Sequence, residues 1–194
     1  MVRMTQQELG YVRRAIERHI HFHFHDEAVA SYQDTNIAWV EWGDLVREAL
    51  PTDVSIIIPI APRDLIEPVT WTVPFRGTTL MFWNRLPLPE GWQCDDVASP
   101  LWYRSPLGHL MPAWDLAGTT LDLLTMHEER VSGRRDHMGR SVASMSPRHA
   151  DGRLQVPFIN NSAAVLVDQC LRQAWGGDAS VVPFAKPVSV CLSH

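Results

Sequence analysis

Val54-Ser55-Ile56-Ile57-Ile58, read together with Ile37-Ala38-Trp39-Val40-Glu41-Trp42 before it, decides the fold class of this chain. Branched aliphatics without alternation mark a strand covered on both faces, as in the interior of a parallel sheet. Residues 37–42 read as a second strand. Between the two, Asp44-Leu45-Val46-Arg47-Glu48-Ala49-Leu50 reads as a short helix that Pro51 ends. Strand, helix, strand in that order implies a right-handed crossover if the strands are parallel. The last part of the chain, about 153–192, has the same form. Ala163, Leu166, Val167, Cys170 and Ala174 fall at helical spacing. Asn160, Asn161 and Ser162 offer N-caps, Gly176-Gly177 offers a stop, and Val188–Leu192 offers a closing strand. The expectation is one α/β domain over 1–194, with a mixed β-sheet flanked by an N-terminal and a C-terminal helix.

Outward from these strands, the N-terminus opens on a capping box, Thr5-Gln6-Gln7-Glu8. Leu9, Val12 and Ile16 follow at helical spacing, which predicts a helix over 1–18. The period then changes. His19-Ile20-His21-Phe22-His23-Phe24-His25 alternates strictly and predicts a strand, histidines outward, pairing antiparallel with 37–42. Val69–Val73 and Thr78–Trp83 predict two strands joined by a turn at Arg76-Gly77. From Leu86 to Pro112 proline and glycine predict mostly loop, with a short strand at Leu101-Trp102-Tyr103. Residues 119–126 (TTLDLLTM) read as strand, and Asp151-Gly152 as a hairpin turn joining about 141–146 to 153–159. The chain thus divides into a helix (1–18), a strand-rich and Trp/Pro-rich part (19–112), and an Arg-rich segment with the closing strand–helix–strand (113–194). Seven of the eight tryptophans lie between Trp39 and Trp114, and ten of the fourteen prolines between Pro51 and Pro112.

Composition narrows the function. With 194 residues, 45% hydrophobic and 20% charged, the chain can bury a true core without disulfides or metal. A net charge of −5 argues against a general nucleic-acid or membrane surface. No run reaches the ~18 apolar residues of a membrane span. The first ten residues, MVRMTQQELG, lack a signal peptide's apolar stretch. Cys94, Cys170 and Cys191 are too few and too far apart for a disulfide framework or a CxxC site. The expected compartment is the reducing cytoplasm.

Two features could carry chemistry. The first is the histidine stripe. His21, His23 and His25 with Glu27 have the spacing of an H-x-H divalent-metal site, for zinc or iron. Were the segment helical, His19, His23 and Glu27 would share one face at i, i+4. The leading expectation is no cofactor, with the metal as the alternative. The second is a basic stretch in which Arg130, Arg134, Arg135, Arg140, Arg148 and Arg153 face only Asp136 and Asp151. Its lack of interleaved aromatics argues against single-stranded nucleic acid. These arginines, with Trp83 and Trp92, are the candidate contacts for another protein. Catalytic signatures are weak. Gly139-Arg140-Ser141-Val142-Ala143 lacks the second glycine of a nucleophile elbow. His127-Glu128-Glu129 has Val131 where H-E-x-x-H needs histidine. Cys94 has Asp95, Asp96 and His109 near it only in sequence.

Val54-Ser-Ile-Ile-Ile-Pro-Ile-Ala-Pro-Arg-Asp-Leu-Ile-Glu-Pro-Val-Thr-Trp71, taken after an early strand, a Trp-bearing strand and a short helix, resembles the C-terminal domain of vWA–MoxR-associated proteins of bacterial conflict systems. Ala185-Lys-Pro-Val-Ser-Val-Cys-Leu192 resembles that family's ending. The spacing from Pro68-Val69 to Trp71 is shorter than the family's, and no terminal tryptophan is present. The resemblance implies a non-catalytic regulatory or adaptor domain working beside other proteins, with no catalytic residue carried over. The leading reading is therefore a protein-interaction module of a bacterial, conflict-related system. The alternative is a metal-dependent enzyme using the 19–25 stripe with Glu27.

Overall fold

The aliphatic run forms an interior strand in the computed structural model, which describes residues 4–47, 49–131, 133–140 and 158–176. In chain order the elements are α1 (Gln6–His23), α2 (Asp26–Asp34), β1 (Ile37–Glu41), α3 (Trp42–Val46), β2 (Ile56–Ile60), a 3-10 turn (Arg63–Leu65), β3 (Glu67–Phe75) and β4 (Thr78–Arg85). Then follow β5 (Gln93–Cys94), β6 (Trp102–Arg104), β7 (Leu110–Pro112), α4 (Leu116–Thr125), α5 (His127–Val131) and α6 (Phe158–Ala174).

The main sheet is mixed and five-stranded, in the order β1-β2-β7-β6-β5. β1 and β2 run parallel, with Ile37 opposite Ile56 and Glu41 opposite Ile60. β7 is parallel to β2, whereas β6 and β5 each run antiparallel to their neighbours. All five residues of β2 are buried, and alternation shows why. Ile56 and Ile58 enter a large core with the helices, which holds Val12, Ile16 and Ile20 of α1 and Leu166 and Cys170 of α6. Ile57 points the other way, into a smaller core with Val40, Leu45, Leu86, Tyr103 and Met111. A strand with a core on each face needs apolar residues throughout.

β3 and β4 form a separate two-stranded sheet rather than part of the main one. Phe75 pairs with Thr78, so Arg76-Gly77 is a two-residue turn. Arg76 (φ 45°) and Gly77 (φ 78°) are both left-handed, the twist that suits a tight hairpin. Trp71, Val73 and Phe75 alternate inward on β3, and Phe82 and Trp83 are buried on β4. Their rings stack into an aromatic core. Phe82 lies 4.5 Å from Trp114, and Trp83 lies 4.6 Å from Phe158 of α6. The Trp71 indole donates to the Pro100 carbonyl at 2.9 Å. Arg76 pairs with Asp168 on α6, and Asp168 also accepts from Arg172 at 2.8 Å, which fixes the hairpin tip on that helix.

Several expectations are corrected. The histidine stripe is helical. α1 runs to His23 instead of stopping near 18, because Val12, Ile16 and Ile20 carry one buried stripe into Phe24, its buried C-cap. That stripe outweighs the local alternation and leaves Phe22 72% exposed. Residues 119–126 are not a strand. Asp115 caps α4 there, and Thr119 and Thr120 are buried within it. Asn160, Asn161 and Ser162 lie inside α6 rather than before it. Asn160 and Asn161 spend their side chains on tertiary hydrogen bonds, to His19 and to the Met81 carbonyl. Phe158 and Ile159, expected to end a strand, begin that helix. The hairpin at Asp151-Gly152 and the strand Val188–Leu192 lie outside the described residues.

Candidate functional site

The histidines are sorted by the helix, not by alternation. His19 and His23, one turn apart, have ring centres 4.3 Å apart and planes tilted by 36°. His19 Nε2 meets Asn160 Oδ1 on α6 at 3.1 Å. Burial holds the His19 imidazole below its ordinary value, against the Asn160 bond and with a smaller contribution from His23. His21 faces elsewhere. With Glu17, Arg18, Phe22 and Gln33 it lines a shallow depression of about 480 Å³. His25 sits beyond the end of α1, at the N-cap of α2 without a side-chain cap bond, and Glu27 is exposed in the first turn of α2. The set His21, His23, His25 and Glu27 is thus divided between two helices. Among the described residues no group of three or more His, Cys, Asp or Glu side chains is placed to hold a metal ion.

The carboxyl ends of β2 and β7 gather a different set of polar groups. Asp115, three residues past the end of β7, caps α4, accepting from the Gly118 N–H at 2.9 Å. Its own N–H donates to the Asn84 carbonyl at 2.8 Å, and Asn84 Nδ2 donates to Thr119 Oγ1 at 2.8 Å. Asp115 is 2% exposed. Burial pushes its carboxyl up to about 7, with the Gly118 bond and Arg63 opposing and Asp122 adding to the rise. From the turn after β2, Arg63 pairs with Asp122 of α4 and donates to His127 Nε2 of α5 at 2.8 Å. One guanidinium therefore fastens two helices to the end of the sheet. Sequence reading missed this cluster, although Asp115 followed three residues later by Gly118 at the head of an apolar run is a legible N-cap signal.

Neither described cysteine is poised as a nucleophile. Burial raises the Cys94 thiol, and the Asp95 and Asp96 charges add to the rise against a backbone hydrogen bond at Asp96. Cys170 is fully buried and pushed up to about 11. A reactive cysteine needs the opposite shift. His109 pairs with Ser105, not with Cys94. Ser105 Oγ lies 3.0 Å from His109 Nδ1 and accepts the His109 backbone N–H at 3.0 Å. Both residues are buried, and these bonds close the β6–β7 turn.

The basic stretch lies on the surface. Arg130, Arg134, Arg135 and Arg140 are all exposed. Asp136 shapes the loop after α5. Its Oδ1 accepts the backbone N–H groups of Met138 and Arg140, each at 2.9 Å, and its Oδ2 accepts Arg140 Nε at 2.8 Å. Interleaved with the arginines are large apolar side chains, Met126 (57% exposed), Val131 (66%) and Met138 (65%). Arg148 and Arg153 lie outside the described residues. The tryptophans expected beside them behave otherwise. Trp83 is 6% exposed against Phe158 and belongs to the core, so it is no surface contact. Trp92 is half-buried against the smaller core. No protein-family model, curated protein or solved structure matches this chain.

Proposed function

We propose that this chain is a non-catalytic protein-binding or regulatory module, and that residues Met126–Arg140 form the face that meets its partner. One observation carries the reading. Within fifteen consecutive positions, three large apolar side chains stand exposed among four exposed arginines. Methionine and arginine are enriched where proteins meet, whereas an ordinary solvated loop favours small polar groups. Methionine adapts its shape to a partner, and arginine grips carboxylates through two parallel hydrogen bonds. The complementary surface is an apolar patch ringed by Asp and Glu. Arg63 supports this role by fastening α4 and the start of α5 to the sheet, so the beginning of the face is held before binding.

The resemblance of Val54–Trp71 and Ala185–Leu192 to the C-terminal domain of vWA–MoxR-associated proteins supports an adaptor or regulatory role in a bacterial conflict system. Free thiols at Cys94 and Cys170 suit work in a reducing cytoplasm. No helix among the described residues is long and apolar enough to cross a membrane.

The test is capture of a stoichiometric partner from the source cells, followed by reconstitution from purified components. Arg134→Glu with Arg135→Glu, and separately Val131→Ser with Met138→Ser, should each weaken the complex at least tenfold without changing the unfolding temperature. Wild-type affinity in both variants would overturn the assignment.

A further inference from the structure

We propose that His19, His23 and Asn160 form a site for a divalent cation of the zinc, nickel or copper class, which ties α1 to α6. The inference is independent of the protein-binding face. It rests on an arrangement that joins residues 141 positions apart in the chain. Two histidines at i and i+4 on one helix face can bind a single zinc, for which their rings must stand close together. The ring centres of His19 and His23 already stand at 4.3 Å. Two ligands about 2.1 Å from a tetrahedral zinc are themselves roughly 3.4 Å apart. Asn160 Oδ1 stands 3.1 Å from His19 Nε2. His19 Nε2 and Asn160 Oδ1 thus stand near ligand spacing, with the His23 ring beside them.

The chemistry is consistent. The cation takes the place of the Nε2 proton of His19, which moves to Nδ1, so the ring stays neutral and offers its Nε2 lone pair. The Asn160 oxygen, which accepted that proton's hydrogen bond, turns the same lone pair to the cation. Water fills the remaining positions. A metal ligand must be unprotonated, and burial already favours the neutral form of His19. Imidazole with an amide oxygen suits borderline cations rather than calcium or magnesium. His19 reaches α6 through Asn160, so binding there stabilises the folded chain by an amount that grows with the logarithm of cation concentration. His21, on another face with Phe22, takes no part.

Equilibrium dialysis of the untagged chain against zinc chloride, with metal counted by elemental mass spectrometry, tests the site alongside thermal unfolding with and without zinc. The expected result is one zinc per chain and a higher unfolding temperature. Both are lost in His19→Ala and in His23→Gln, and both are kept in His21→Ala. His23 is half-exposed, so its glutamine variant separates loss of a ligand from loss of the fold. Uptake below one zinc per chain, uptake that survives His23→Gln, or equal loss in His21→Ala would each overturn the proposal.

Discussion

Replacing Asp115 by asparagine should remove a pH dependence built into the core. The wild-type carboxyl is 2% exposed and its value rises from the ordinary 3.8 to about 7. Below pH 4 the folded and unfolded states both hold the proton, and the contribution of Asp115 to stability is fully present. As pH rises from 4 to 7 the unfolded chain releases its proton while the folded chain keeps it, so stability falls. Above 7 both are ionised and the loss is complete. At about 1.4 kcal/mol per tenfold change in proton affinity, the gap is about 4 kcal/mol across this range. Asparagine mimics the protonated acid. Its Oδ1 can still accept from the Gly118 N–H, and it caps a helix as well as aspartate does. Urea unfolding of both proteins at intervals from pH 4 to pH 8 measures the difference. Every other ionisable side chain is common to both proteins, so its contribution cancels in the difference. Asp115→Asn should gain on wild type by roughly 4 kcal/mol between these limits. Parallel profiles would refute the reasoning, since they would mean that the buried carboxyl ionises like an exposed one.

Two glycines should respond in opposite directions to alanine. A Cβ at Gly118 would stand 2.3 Å from Asp115 Oδ2, which burial holds in place, so Gly118→Ala should lose about 1–3 kcal/mol in urea unfolding. At Gly10 of α1 the nearest atom is a flexible Arg14 nitrogen at 3.7 Å, so Gly10→Ala should gain about 1 kcal/mol from helix propensity. Phe82→Ala, at the centre of the ring cluster with Trp114 and Trp71, should cost about 3–5 kcal/mol, read as a lower urea midpoint at unchanged slope. Thr5→Ala removes an observed capping box, in which Thr5 Oγ1 accepts the Glu8 N–H and Glu8 accepts the Thr5 N–H, and should cost about 1 kcal/mol by the same assay.

Much of the architecture was legible because its signals were both local and strong. The unbroken aliphatic run at 56–58 announced a strand with a core on each face. Thr5 and Glu8 marked the first helix start, and Arg76-Gly77 marked a hairpin whose two residues both take positive φ. Misreading began where a local period competed with a longer one. Over residues 19–25 the alternation of His with Ile and Phe is perfect, yet the i, i+4 chain of Val12, Ile16, Ile20 and Phe24 gains more by burial against α6. The same competition hid α4, whose β-branched Thr119 and Thr120 resist helix until packing surrounds them. The site suffered in turn. A strand would have set His21, His23 and His25 side by side, whereas the helix joins His19 to His23 and turns His21 away. Trp83 looked like a contact residue because exposed tryptophan marks interfaces, but composition does not say which tryptophans are exposed. The arginines were legible as a surface, since charge in that density has nowhere else to go. The Arg63, Asp115 and Asp122 cluster was not, because its members lie up to 59 residues apart and meet only through the end of the sheet.

Site-specific photo-crosslinking measures the central claim most directly. A crosslinking side chain in place of Met138, within the proposed face, is compared with one in place of Val97, which is 82% exposed on the loop between β5 and β6. The account predicts that position 138 captures one recurrent protein of the source cells, that position 97 does not, and that excess wild-type chain competes the capture away. Capture of the same protein from both positions, or from position 97 alone, would contradict the assignment of residues 126–140 as the partner face.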